Sequence, residues 1–280
     1  MKYYVPLKSP LKETEIAIEA AIKAGKKTLE IYNQQFSTTL KKDNEPLTEA
    51  DLKSNEIIQK TISNSGYHIL SEESEDNKKR LKSKKIWIID PLDGTSDFIK
   101  KTGEFTIMIS LVEDNIPILG VIYWPTKSIL YLAQKDQGAF KLENGTWKPL
   151  SVSNSSKLKN CRAVGSRYHI SDFEQYIIKK LKISKFTSKG SSLKVVDISS
   201  GYAELYFTTT NKIKQWDTCA SYCLITEAGG KMTDMNGKDM KYNTNELNHE
   251  NGILVSNGLI HNDIIKIYQN SLSTYKEKKS

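Results

Sequence analysis

The stretch Ile86-Trp87-Ile88-Ile89 runs without a break into Asp90-Pro91-Leu92-Asp93-Gly94-Thr95. Four large apolar residues in a row suit a short buried strand, and Pro91 with Gly94 obliges the chain to turn sharply where that strand ends. Asp90 and Asp93 are thereby held in one bend. Two unit charges about 4 Å apart repel by ~4 kcal/mol at an effective dielectric of about 20. That repulsion raises a carboxyl pKa unless a cation sits between the pair. The oxygens on offer, two carboxylates and the Leu92 carbonyl of the same turn, are hard, so Mg²⁺ suits them and Zn²⁺ or copper does not.

Around this bend the chain divides into two patterns. Residues 11–33 and 48–64 carry apolar side chains at helical spacing, with Ile16, Ala20, Ala24 and Leu29 on one face of the first. Tyr67 to Leu70 and Lys84 to Asp90 are strand-like. Thr106 to Val112 and Ile118 to Tyr123 form a hairpin about Glu113, Asp114 and Asn115, followed by strands at Ile129 to Ala133 and Ala139 to Leu142 with a turn at Asn144-Gly145. The first half is thus helices and then a mostly antiparallel sheet. Ser151 to Lys159 reads as a connection. Beyond it strands (Arg162 to Gly165, Tyr202 to Phe207) alternate with helices (Phe173 to Leu181, Lys194 to Ser200, Asp217 to Ala228), the last stopped by Gly229-Gly230. The expected organisation is an α+β half over 1–152 and an α/β half over 153–280.

A chain of 280 residues, 38% hydrophobic, can bury its own core. Charges run through the first amphipathic stretch, which has neither the apolar region of a signal peptide nor a spanning segment, so a cytoplasmic protein without membrane insertion is expected. Three cysteines and four scattered histidines indicate neither a disulfide framework nor structural zinc. Cys219 and Cys223, four apart on a helix, read as small buried hydrophobes. The net charge of +8 is spread along the chain, densest at Lys78 to Lys85 and at Lys276, Lys278 and Lys279, without the aromatic and basic alternation of single-strand binders. No nucleic-acid partner is expected; a small anionic substrate is compatible with this charge distribution.

Further carboxylates stand where elements end: Glu72 and Glu73 after the strand-like YHIL, Asp51 near a helix start in PLTEAD, and Asp217 opening a helix in QWDT. Each alone is an ordinary solvated group. Together with Asp90 and Asp93 they supply what metal-assisted phosphoryl transfer needs, carboxylates that can hold cations on both the attacking and the leaving oxygen.

SEES at 71–74, WIIDPLDGTSDF at 87–98 and QWDTCA at 215–220 resemble, in order and approximate spacing, the motifs of the inositol monophosphatase superfamily of lithium-sensitive, Mg²⁺-dependent phosphatases. GVIYWP and Gly138-Ala139-Phe140 extend the likeness over nearly the whole chain. The resemblance implies a layered αβαβα sugar-phosphatase-like fold, with two or three Mg²⁺ at the junction of its halves. It implies that Glu72, Asp90 and the Leu92 carbonyl hold the metal that activates water, and that Asp90, Asp93 and Asp217 hold a second on the leaving-group side. Thr95 and Asp51 would orient the water and take its proton, Glu73 would support them, and the backbone N–H groups of Gly94 and Thr95 would bind phosphate oxygens.

Within the superfamily, KKDNEPLTEAD at 41–51, GSRYHIS at 165–171 and KGSSLKVVDISSGYAELY at 189–206 look most like the CysQ-type 3′(2′),5′-bisphosphate nucleotidases. That likeness implies hydrolysis of 3′-phosphoadenosine 5′-phosphate to AMP, in the context of sulfur assimilation. By it Ser166, His169, Ser191 and Lys194 would contact the nucleotide and its second phosphate, and Tyr168 or Trp216 could stack on adenine or pack in the core. Gln215 replaces a frequent Glu, Cys219-Ala220-Ser221 a smaller run, and YFTTTNKIK lacks the arginine common after that strand. These departures bear on base and ribose selectivity. An inositol or fructose phosphatase of the same fold, and a catalytically silent nucleotide-binding protein, stay open as alternatives, as does assembly into a homodimer.

Overall fold

The computed structural model describes residues 4–41, 45–168 and 170–277. In chain order the elements are α1 (Thr14–Tyr32), β1 (Thr38–Leu40), β2 (Pro46–Thr48), α2 (Glu49–Ile62), β3 (His68–Ser71), β4 (Lys85–Asp93), α3 (Thr95–Ile99), β5 (Thr106–Glu113), β6 (Ile116–Trp124), β7 (Ile129–Gln134), β8 (Gly138–Glu143) and β9 (Thr146–Pro149). There follow β10 (Arg162–Ser166), α4 (Asp172–Leu181), β11 (Lys185–Lys189), α5 (Leu193–Ser199), β12 (Leu205–Thr208), α6 (Gln215–Glu227), β13 (Lys231–Thr233), β14 (Ile253–Ser256) and α7 (His261–Glu277).

The alternation of side chains along β4 explains the layering. Trp87 and Ile89 point to one face, where they join Ile107, Ile109 and the apolar stripes of α1 and α2. Ile86 and Ile88 point to the other, against Val195 of α5 and Cys219 of α6. A strand covered on both faces is apolar throughout. The first sheet has the order β3-β4-β5-β6-β7-β8-β9 and is antiparallel except where β3 pairs parallel with β4. The second has the order β11-β10-β12-β14-β13, and its far face meets α4 and α7 through Ala163, Leu205, Leu254, Ile177 and Ile264. Helices, sheet, helices, sheet, helices follow one another, as expected of an αβαβα fold.

Two local features fix the frame. The β5–β6 hairpin turns on Asp114 and Asn115, both with positive φ (48° and 67°), the two-residue geometry that matches strand twist. Gly120 in β6 lets α6 lie against the sheet, because a Cβ there would stand 2.6 Å from the Ala220 carbonyl oxygen and 3.0 Å from Cys223 Cβ. Cys161, Cys219 and Cys223 are all buried thiols, and among the described residues no helix is long and apolar enough to cross a membrane.

His261 joins α7 to the second sheet, its Nδ1 2.8 Å from Ser256 Oγ and its Nε2 2.9 Å from Thr233 Oγ1. Burial, with Lys231 adding to it, pushes its pKa from 6.5 down to about 4. Above pH 6.5 both folded and unfolded forms are neutral. As pH falls from 6.5 to about 4, only the unfolded chain takes the proton, so stability is lost through that window, by up to about 3 kcal/mol. His249, also pushed down to about 4 by burial, acts in the same direction. Urea denaturation at pH 7 and pH 4.5 should show a smaller acid loss for His261→Gln than for the wild type; equal losses would remove His261 from this account.

Candidate active site

The bend after β4 is a bulge. Pairing with β5 is regular to Asp90↔Met108 and then shifts before Asp93↔Thr106, so Pro91 and Leu92 stand against one residue of β5 and the carboxylates are re-aimed. Asp90 is 1% exposed and accepts a hydrogen bond from the Leu92 N–H at 3.0 Å. Asp93 Oδ2 accepts from Thr106 Oγ1 at 3.3 Å and from the Ser192 N–H across the molecule. Gly94 has φ 96°, and a Cβ there would lie 3.0 Å from the Glu104 carbonyl oxygen and 3.1 Å from Ser191 Cβ. Only glycine can turn the chain into α3 at that point.

Thr95, the first residue of α3, donates to Asp51 Oδ1 at 3.1 Å and lies 3.3 Å from the Leu92 carbonyl. Asp51 owes its position to the start of α2, where its Oδ2 accepts from the Thr48 N–H (2.8 Å) and hydroxyl (2.6 Å) in a capping box. Ser54, one turn on, donates to the Pro91 carbonyl at 2.6 Å and locks α2 to the bulge. Burial raises the Asp51 pKa, and the Thr48 donors oppose it.

Glu72 and Glu73 follow β3 and share one ammonium. Lys41 Nζ is 2.7 Å from Glu72 Oε1 and 2.5 Å from Glu73 Oε1. Burial disfavours that ammonium, but the two carboxylates outweigh it and hold Lys41 above the usual lysine range. Glu73 is pushed up to about 7 by burial, with Lys41 opposing and Glu72 reinforcing the shift. Asp217 sits in the first turn of α6, where its Oδ2 accepts from the Lys214 N–H at 2.7 Å.

These carboxylates feel one another. Burial comes first in raising Asp90 well above its ordinary pKa, followed by the charges of Glu72, Asp93 and Asp217. Asp217 is raised by burial and then by Glu72 and Asp93. Asp93 is raised by burial, against Lys194 and the Ser192 N–H. Among the described residues no three His, Cys, Asp or Glu side chains are already gathered into a metal cage. The donor set nevertheless fits a hard divalent cation: its oxygens are carboxylate and carbonyl, Asp90 and Leu92 are buried while Glu72, Asp93 and Asp217 are half-buried, and their repulsion is relieved by positive charge of the kind Lys41 supplies to Glu72 and Glu73.

Of the expected nucleotide contacts, Ser191 and Lys194 stand beside the site. Ser191 is 8% exposed and has a positive φ of 51° in the turn before α5. Lys194 donates to the Ser191 carbonyl at 2.6 Å. Burial lowers its pKa, while the charges of Asp93, Asp97, Glu104 and Asp217 draw it back up. Ser166 ends β10 opposite Lys189 of β11; His169 lies outside the described residues. Trp216 is 7% exposed and part of the inter-sheet core, so its ring packs there. The Tyr168 ring carries Lys100 Nζ 3.6 Å from its centroid. Gln215, read in the sequence as bearing on selectivity, instead binds the 243–246 loop, donating to Thr244 Oγ1 and the Glu246 carbonyl and accepting from the Asn243 N–H, each at 2.7 Å.

The sequence reading passed over Lys41, Ser192, Thr106 and Arg167. Arg167 and Lys41 stand inside motifs quoted for the resemblance, but nothing local says which carboxylates they meet.

Residues 10–273 match the model of the inositol monophosphatase family. The chain belongs to that family. As a member of it the protein is a phosphomonoester hydrolase. It is 36% identical over 236 residues to the 3′(2′),5′-bisphosphate nucleotidase CysQ of Buchnera aphidicola, spanning 80% of this chain and 85% of that one. The crystal structure of CysQ from Bacteroides thetaiotaomicron superposes with a TM-score of 0.75 at 32% identity, over 87% of this chain and 96% of the other. A Thermotoga maritima IMPase reaches a TM-score of 0.81 at 25% identity, over 94% and 99%.

Proposed function

We propose that this family member is a Mg²⁺-dependent 3′(2′),5′-bisphosphate nucleotidase that hydrolyses 3′-phosphoadenosine 5′-phosphate to AMP and phosphate. The observation that carries the reading is Lys194. Its ammonium lies 2.6 Å from the Ser191 carbonyl, in the turn whose next residue, Ser192, donates to Asp93 of the reacting bend; a cation there, beside a Ser191 of positive φ, offers a second anionic subsite that a substrate with one phosphate leaves unused. The similarity to the Buchnera and Bacteroides CysQ proteins supports the same substrate class.

Glu72, Asp90 and the Leu92 carbonyl would hold one Mg²⁺, and Asp90, Asp93 and Asp217 a second. When bound, the metal supplies Lewis-acid polarisation of the phosphate and of the attacking water. The chain's own residues do the rest. Thr95, donating its proton to Asp51, keeps its lone pairs for the water; Asp51 is the terminal proton acceptor. The N–H groups of Gly94 and Thr95 face the phosphate oxygens, and Ser166, Ser191 and Lys194 hold the nucleotide. Most metal ligands thus come from residues 1–152 and the substrate contacts from 153–280, in a cytoplasmic enzyme.

Phosphate release from 3′-phosphoadenosine 5′-phosphate and from inositol 1-phosphate, with Mg²⁺, with EDTA and with Mg²⁺ plus Li⁺, tests the reading. Preference for the nucleotide, abolished by EDTA and lowered by Li⁺, is expected. Preference for the inositol ester would overturn the substrate, and turnover in EDTA would overturn the metal.

A further inference from the structure

We infer that Arg167 is a positioning residue for the part of the substrate beyond the scissile phosphate, an inference that rests on the nucleotidase reading above. Arg167 follows β10, next to Ser166. Its Nη1 lies 2.5 Å from Asp97 Oδ1 and its Nη2 2.7 Å from Glu104 Oε2. A planar guanidinium can serve two carboxylates at once; an ammonium cannot hold that fork.

The two acids belong to the reacting side of the molecule. Asp97 is 3% exposed, lies in α3 two residues after Thr95, and also accepts from Thr102 Oγ1 at 2.7 Å. Glu104 precedes β5, and its Oε2 accepts from the Gly190 N–H at 2.8 Å. Gly190 opens the turn that carries Ser191, and Ser192 of that turn donates to Asp93. No side chain fits at 190, since a Cβ would stand 2.3 Å from Asp97 Oδ2 and 2.8 Å from the Glu104 carbonyl oxygen. One cation therefore ties three segments together: α3 with the phosphate-facing amides, the strand end with Ser166, and the turn with Ser191 and Lys194.

The consequence is geometric. The Ser191 turn is also tied directly to the bend through Ser192 and Asp93, so what the Arg167 fork adds is the placing of the β10 end, with Ser166, relative to α3 and that turn; a substrate reaching both ends depends on it and a small ester held only at the reacting phosphate does not. Arg167 itself does not touch the substrate in this account.

The test compares 3′-phosphoadenosine 5′-phosphate with 4-nitrophenyl phosphate, both with Mg²⁺, in Arg167→Met, Glu104→Gln and the double variant, with a melting curve for each. In Arg167→Met, KM for the nucleotide should rise about 10-fold with kcat within about threefold, as positioning effects do, while kcat/KM for the simple ester falls by less than about threefold. Glu104→Gln should raise the nucleotide KM in the same direction, and the double variant should be no worse than Arg167→Met. Equal losses on both substrates, or an unmoved nucleotide KM in a folded variant, would overturn the inference. So would a KM raised by Arg167→Met but not by Glu104→Gln, which would make Arg167 a direct contact. A wild-type protein that does not turn over the nucleotide sinks the nucleotidase reading as well, whereas turnover with an unmoved KM sinks this inference alone.

Discussion

Asp51→Asn should lower kcat for phosphate release by about 10²–10⁴-fold while leaving KM within a few-fold, the size of effect expected when a positioned proton acceptor is removed. The substitution keeps the shape of the side chain. It removes the negative charge that draws the Thr95 proton toward Oδ1, a contact of 3.1 Å, and replaces one of two oxygens that accept hydrogen bonds. An amide can still accept from the Thr48 donors that hold Oδ2 at 2.6 and 2.8 Å, so the start of α2 should survive and the melting temperature should move little. Steady-state phosphate release with a melting curve separates the two. A loss below tenfold in a folded variant would take Asp51 out of the proton path and leave Thr95 to be tested alone.

Gly120→Val should be the most damaging single change away from the carboxylates. The new side chain has no space: its Cβ alone would meet the Ala220 carbonyl oxygen at 2.6 Å and Cys223 Cβ at 3.0 Å, and the first of these is backbone in the middle of α6. Overpacking of this kind costs about 3 kcal/mol, which at about 2–4 °C per kcal/mol for a large domain shows plainly in a melting curve. Relief requires α6 to lift from β6, and α6 carries Asp217 in its first turn. The Mg²⁺ concentration giving half-maximal activity should therefore rise together with the loss of stability. A stability loss with unchanged Mg²⁺ dependence would show that the first turn of α6 is held independently of its middle, by Lys214 and the 243–246 loop.

The carboxylate cluster could be read from the chain because its signals are local. A buried strand, a proline, a glycine and two aspartates within ten residues state the bend at Asp90 to Thr95, and the bulge in β4 is what that bend becomes when the strand must keep pairing on both sides of it. The hairpins from β5 to β8 were legible for the same reason: apolar runs separated by short turns. The capping box at Thr48 and Asp51 is equally local.

What escaped the sequence reading lacks a local signature. Strand β11, Lys185–Lys189, is a sheet edge with exposed residues and has no apolar run to announce it. Helix α7, His261–Glu277, ends in a lysine-rich stretch whose composition hides the face that packs Ile264 and Ile267 against the second sheet. Short β13 is recognisable only as the partner of β14, and the run Ile253 to Val255 in β14 is too short to tell a strand from a piece of buried helix until it pairs with β12 and β13.

By itself, the sequence determined the apolar strand, the carboxylates gathered at its end, their preference for a hard cation, and the alternation of helices and strands that makes a layered α and β protein. The tertiary structure alone decided which charges meet. Lys41 reaches Glu72 and Glu73 across 31 and 32 residues, Arg167 reaches Glu104 and Asp97 across 63 and 70, and Ser192 reaches Asp93 across 99. Periodicity and turn chemistry act over one or two turns of chain, whereas these contacts are set by how the β1–β2 hairpin lies over the end of β3 and how the two sheets stack on α5 and α6, and side chains that far apart in sequence carry no mark of their partners until the layers close.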